Sequence, residues 1–112
     1  IVRYTSTEAD MQIKYNYVGG GLYVYLSGEL DECNAVRTRE IIDNLIESNS
    51  PVKKAVFNMS GLTFMDSTGI GVLIGRYTKL RSRGACVYVE SPSLPAEKIL
   101  QVSGLYKIMP KV

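Results

Sequence analysis

The residues able to do chemistry cluster in one stretch, Phe64-Met65-Asp66-Ser67-Thr68-Gly69-Ile70-Gly71. A carboxylate and two hydroxyls stand side by side there. Asp66 and Ser67 are both good helix N-cap residues, because their side-chain oxygens accept hydrogen bonds from the first free backbone N–H groups. An apolar run leads in and a helical pattern leads out, so the stretch reads as the turn of a strand–loop–helix unit. That geometry exposes Ser67 or Thr68 at a helix N-terminus, a position that also attracts anions. Spacing alone admits two readings: a helix cap, or a modifiable hydroxyl at a partner surface.

Nucleophilic catalysis by Ser67 lacks its helpers. The chain contains no histidine, which removes Ser-His-Asp and Cys-His chemistry and histidine metal sites. The Gly-x-Ser-x-Gly elbow is absent. Asp-Ser-Thr-Gly is similar to the aspartic-protease signature, but that chemistry needs two carboxylates brought together, and no second copy of the motif exists. No catalytic role is expected. Glu29, Asp31 and Glu32 lack the spacing of a calcium loop. They read as a loop ending in an N-cap, or as carboxylates of which Glu29 or Asp31 faces a partner. The two cysteines, Cys33 and Cys86, make neither a zinc site nor a disulfide framework. Cys86, inside an apolar run, is expected in the core, and Cys33 at the surface. Both are expected to stay reduced, in a cytoplasm.

These residues need a frame, and 112 residues supply a single domain, 1–112. A hydrophobic content of 46% with 21% charge suits a soluble globular chain. The net charge of +2 is too small to point to nucleic acid or a membrane surface. No apolar run reaches the length of a bilayer span, and no secretory leader is visible.

Periodicity then orders the elements. Residues 1–9 show no pattern and are expected to fray. Met11, Ile13, Tyr15 and Tyr17 alternate with polar residues, as do Leu22, Val24 and Leu26 with Tyr23, Tyr25 and Ser27. These two strands should pair as a hairpin across Gly19-Gly20-Gly21. The four tyrosines read as sheet-face residues, since no basic patch accompanies them as in a base-stacking platform. A helix is predicted from about 34 to 47, with Ala35, Thr38, Ile42 and Leu45 inward. Ala55-Val56-Phe57 reads as a central strand and Asn58-Met59-Ser60-Gly61 as a turn. A second helix is predicted from about 68 to 81, with Ile70, Leu73, Ile74, Tyr77 and Leu80 inward and Arg76, Lys79, Arg81 and Arg83 outward. Gly69, Gly71 and Gly75 are costly in a helix, at roughly 1 kcal/mol each, and suggest close approach of a neighbouring element or a partner. A strand at 85–89, a short helix at 96–102 and an extended piece at 105–109 follow. The fold class is α/β: a mixed β-sheet with an N-terminal hairpin followed by alternating β-α units, helices packed on the sheet.

Several segments together resemble the STAS-domain anti-sigma factor antagonists, most closely the sporulation type that antagonises the anti-sigma-F factor. They are Gly28-Glu29-Leu30-Asp31, then the run from Leu62 through Asp66-Ser67-Thr68-Gly69-Ile70-Gly71 to Gly75-Arg76-Tyr77, then Ser91-Pro92 and Ser103-Gly104-Leu105-Tyr106-Lys107-Ile108. Order and spacing agree across nearly the whole chain. The sequence departs at Glu32-Cys33-Asn34, where the sporulation proteins often carry a His pair and a Thr. The family's final helix is expected to be shortened, absent or outside a chain ending at Val112.

The resemblance implies the STAS fold and a partner-switching mechanism. The unmodified antagonist binds an anti-sigma factor that is itself a serine kinase, and a sigma factor is released. The kinase uses ATP to phosphorylate Ser67, the modified form dissociates, and a PP2C-type phosphatase resets it. The chain is then the substrate, has no cofactor of its own, and is expected to be a monomer when free. The resemblance further implies a partner surface comprising Asp31, Met65, Asp66, Thr68 and Gly69. Other roles open to this fold are a general stress-response or stressosome module, a transporter-linked domain, or a ligand-sensing domain.

Overall fold

A computed structural model of the chain describes residues 3–7 and 11–112. The described residues form five strands, three α-helices and a 3-10 turn. Strands β1 (Arg3–Thr7), β2 (Met11–Val18) and β3 (Gly21–Leu30) are antiparallel neighbours. Helix α1 (Ala35–Ser48) carries the chain to β4 (Lys54–Met65), and α2 (Ser67–Ser82) carries it to β5 (Cys86–Glu90). Strands β3, β4 and β5 run parallel, so the five-stranded sheet is mixed, in the order β1-β2-β3-β4-β5. Helix α3 (Leu94–Ser103) packs back on β4, and Leu105–Lys107 form the 3-10 turn.

Local chemistry explains most of these boundaries. Gly19 and Gly20, at φ 56° and 82°, form the two-residue link between Val18 and Gly21, the positive-φ pair that suits a tight hairpin. Ser93 caps α3 by accepting from the Ala96 N–H at 3.3 Å, with Pro95 in the first turn. Gly104, at φ 76°, ends α3 in the left-handed conformation. One face of the sheet is buried under the helices. Leu22, Val24, Leu26, Ala55, Phe57 and Met59 meet Ile42, Leu73 and Leu100 in this core, all essentially inaccessible to water.

Several expectations are corrected. Arg3–Thr7 form β1, because pairing with β2 organises residues that have no pattern of their own; the rest of 1–9 lies outside the described residues. The turn expected at Asn58–Gly61 is absent, and β4 runs straight through it. Its turn-type residues instead create a bulge: from Tyr25 to Ser27 the β3 partner moves from Asn58 to Gly61. Asn58 Oδ1 accepts from the Ser60 N–H at 3.0 Å and its hydroxyl at 2.8 Å, which stabilises the kink. Gly61 is required there, since a Cβ would lie 2.4 Å from Ser27 Oγ.

A second bulge, at Thr63, follows between Leu62 and Phe64. Residues 105–107 are helical rather than extended, and only Lys111 bridges to β5, at Val89. Cys86 starts β5 on the uncovered sheet face and is exposed, as is Cys33. Tyr15 and Tyr17 pack against the core, as sheet-face residues should.

Candidate functional site

Strand β4 ends at Met65 and α2 begins at Ser67, with Asp66 as the N-cap in extended conformation. Asp66 Oδ1 accepts from the Thr68 N–H at 2.9 Å and from the Gly69 N–H at 3.2 Å. Of the two candidate caps, Asp66 takes the role, and this releases Ser67. The Ser67 side chain stands exposed at the first position of the helix. Thr68 is half-buried beside it.

The neighbouring strand completes the site. Leu30, at the end of β3, pairs with Met65, at the end of β4. Its carbonyl accepts from the Asp66 N–H at 3.3 Å. Because the two strands are parallel, the β3–α1 loop and the β4–α2 loop leave the sheet at the same end, where open α/β sheets place their binding sites. Asp31, the first residue of the β3–α1 loop, therefore lies next to the Asp66-Ser67 turn. Its Oδ1 accepts from the Cys33 N–H at 2.9 Å.

Of the residues assigned to a partner surface, Asp31, Asp66 and Thr68 are part-exposed, whereas Met65 is 6% exposed and Gly69 is buried. Met65 and Gly69 shape the surface from beneath. A Cβ on Gly69 would meet Leu30 Cγ at 3.0 Å and Met65 Cγ at 3.1 Å, so the helix start rests directly on both strand ends. The close approach expected of the helix glycines is thus real at Gly69, while Gly71 and Gly75 face open space.

Three further features lie around Ser67 that periodicity did not reveal. Phe64 is 45% exposed on the uncovered sheet face. Ile74, expected inward, is 42% exposed and joins Ser67, Gly71 and Thr78 on an outward stripe of α2. Asn34, at the N-cap of α1, turns its side chain away from the helix: Nδ2 donates to the Glu29 carbonyl and Oδ1 accepts from the Asp31 N–H at 3.2 Å. The alternating core pattern of Ile70-Leu73-Ile74 concealed Ile74. Asn34 carried only the general signal of a cap-type residue.

Behind the site, ion pairs fasten α1 to α2. Arg76 Nε lies 2.8 Å from Asp43 Oδ1, and Lys79 reaches Glu47 at 3.2 Å. Arg83 also pairs with Glu47. Arg76 was expected on the outer face, yet it is 8% exposed. Burial pushes its guanidinium below the ordinary value, and the Asp43 carboxylate opposes that shift.

Among the described residues, no helix is long and apolar enough to cross a membrane, and no group of three or more Cys, Asp or Glu could hold a metal ion. What the site can do chemically is present an immobilised, water-exposed hydroxyl between two loops, beside a carboxylate.

The fold and this strand–cap–helix site are those of a STAS domain. That family matches residues 10–112, and the chain belongs to it. The chain is 37% identical over 101 residues to the anti-sigma F factor antagonist of Paenibacillus polymyxa, covering 90% of this chain and 86% of that protein. It is 27% identical over 88 residues to the anti-sigma-B factor antagonist of Bacillus subtilis (strain 168), covering 79% and 78%. Among solved structures it is similar to the anti-sigma factor antagonist SpoIIAA in its unphosphorylated form, with a TM-score of 0.74 at 29% identity over 89% of this chain and 87% of that one. The Bacillus cell fate determinant SpoIIAA in the phosphorylated form gives 0.67 at 28% identity, covering 91% and 90%.

Proposed function

We propose that the chain is an anti-sigma factor antagonist that works by partner switching, with Ser67 as the phosphoacceptor. The unmodified protein binds an anti-sigma factor and so frees a sigma factor for transcription, in sporulation. The anti-sigma factor is a serine kinase that transfers phosphate from ATP to Ser67, and a PP2C-type phosphatase removes it. The protein is the substrate of this chemistry and not its catalyst, and it works in the cytoplasm. The observation that carries the reading is the exposed Ser67 hydroxyl at the first position of α2, freed by the Asp66 cap. The likeness to antagonists over 90% of the chain supports the choice of partner.

The physics of the switch follows from that position. Phosphate adds about −1.5 to −2 charge beside the Asp66 carboxylate. The Thr68 and Gly69 N–H groups that would ordinarily welcome an anion already serve Asp66. The new charge therefore stays at the surface. In an interface it brings bulk, desolvation and repulsion, and a loss of a few kcal/mol weakens binding by about a hundredfold or more. The fold itself should change little, because Ser67 is exposed and the cap does not use its hydroxyl.

The test is a pull-down with the candidate anti-sigma factor, with and without ATP, followed by intact-mass and fragment analysis. Binding without ATP, release with it, and one phosphate on Ser67 are expected. Ser67→Ala should bind and stay unmodified, and Ser67→Asp should bind weakly. Phosphate found only on Thr68 would remove Ser67 from the mechanism, and broad unfolding of the modified protein by amide exchange would contradict a local switch.

A further inference from the structure

Three backbone groups on the two consecutive peptide units flanking Leu30, at the end of β3, are each held from outside the strand. The Glu29 carbonyl accepts from Asn34 Nδ2, the Leu30 carbonyl from the Asp66 N–H, and the Asp31 N–H donates to Asn34 Oδ1. Asn34 supplies two of the three bonds and is 7% exposed. It stands at the N-cap of α1, where an asparagine side chain ordinarily accepts from the first turn of its own helix. Here it makes no such bond. Its amide is instead closed on the loop, with a donor and an acceptor satisfied two residues apart. That double bond pattern fixes both peptide planes flanking Leu30, and so fixes where the Asp31 side chain leaves the strand end.

We infer that Asn34 is a positioning residue of the antagonist surface, setting Asp31 beside the Ser67 turn for the anti-sigma factor. The inference rests on the proposed function. Asp31 Oδ1 is engaged by the Cys33 N–H, and Oδ2 makes no hydrogen bond among the described residues, so it is available to a donor on the partner. Asn34 does not touch that partner itself, since it is buried under the loop it ties. Its influence runs through Asp31, while the Asp66 N–H holds the same strand end from the Ser67 side. The two loops are thus stitched to one short piece of backbone, Glu29-Leu30-Asp31. The role also accounts for one residue of the Glu32-Cys33-Asn34 segment, where this chain departs from the sporulation pattern.

The test is a double-mutant cycle on binding to the unmodified anti-sigma factor. Wild type, Asn34→Ala, Asp31→Ala and the double variant are compared by titration calorimetry, with thermal melts alongside. Each single change should weaken binding about tenfold, and the double variant should lie within about twofold of either single one, because removing the placed group abolishes the value of placing it. A merely structural Asn34 would give independent losses, about a hundredfold together. Multiplying losses, or wild-type affinity in Asn34→Ala, would overturn the inference. So would an effect of Asn34→Ala with none from Asp31→Ala. If Asn34→Ala does not fold, Asn34→Asp, which keeps an oxygen for the Asp31 N–H, enters the same cycle. Failure of the wild-type protein to bind at all would instead overturn the proposed function.

Discussion

Gly69 and Leu30 touch so closely that a Cβ on the glycine would lie 3.0 Å from Leu30 Cγ. Leu30 is wholly buried, so it has little room to yield. Gly69→Ala gains helix propensity of about 1 kcal/mol but meets an overpacking cost of about 1–3 kcal/mol. A net loss of about 1 kcal/mol is expected. Gly71→Ala and Gly75→Ala meet nothing within 4 Å and should each raise stability by about 0.5–1 kcal/mol. Thermal melts of the three variants decide the matter; equal behaviour would mean that the contact with Leu30 carries no cost.

The cap gives a second prediction. Asp66→Ala frees two N–H groups at the start of α2 and should cost about 1 kcal/mol, a fall of roughly 4 °C in Tm. Asp66→Asn keeps the acceptor and should stay close to wild type. If Asn fails as badly as Ala, the carboxylate acts through its charge rather than through capping.

The α1–α2 ion pairs should be unequal. Asp43→Ala leaves the Arg76 guanidinium, 8% exposed, without its carboxylate, and should cost about 1–3 kcal/mol. Glu47→Ala removes one exposed partner shared by Lys79 and Arg83 and should shift stability far less than Asp43→Ala. Urea denaturation midpoints separate the two. Replacing Asp43 and Arg76 together with leucine should recover most of the Asp43→Ala loss.

The pH dependence has two limbs at one hydrogen bond. Tyr106 donates to Glu97, and Lys111 Nζ lies 2.9 Å from Glu97 Oε2. The Tyr106 hydroxyl first, and Lys111 next, hold the Glu97 carboxyl below its ordinary 4.5. The folded state thus favours the carboxylate, and this stability is present above 4.5 and lost as pH falls through the lowered value. Burial first, and the hydrogen bond to Glu97 next, push Tyr106 above its ordinary 10.0. Its stabilisation is present below 10.0 and is lost as pH rises through the raised value. Glu97→Gln should flatten the acid limb as pH falls below 4.5, and Tyr106→Phe should flatten the alkaline limb as pH rises above 10.0. Urea melts across both ranges measure the slopes; unchanged slopes in both variants would show that the pair does not couple to folding.

The site was legible in the sequence because its chemistry is local. A cap residue followed by a helical pattern needs no distant partner to be recognised, and the hairpin glycines speak for themselves. What escaped notice depends on distant contacts. Asn58-Met59-Ser60-Gly61 has the composition of a turn, and only the β3 ladder keeps it in register as a bulge. Arg76 looks like an outward charge until Asp43 meets it from α1. Ile74 fits the apolar stripe by spacing, yet it is left 42% exposed. Asn34 is the extreme case, since its role consists of bonds to Glu29 and Asp31 that no periodicity describes.

The Asp66 cap has a consequence for how information leaves this molecule. Many helix starts would absorb a phosphate into their own amides and conceal it. Here the Thr68 and Gly69 amides are already committed to Asp66. A phosphate on Ser67 is therefore displayed and not digested: the protein behaves as a label holder, stiff enough that its message is legible from outside without the holder changing shape.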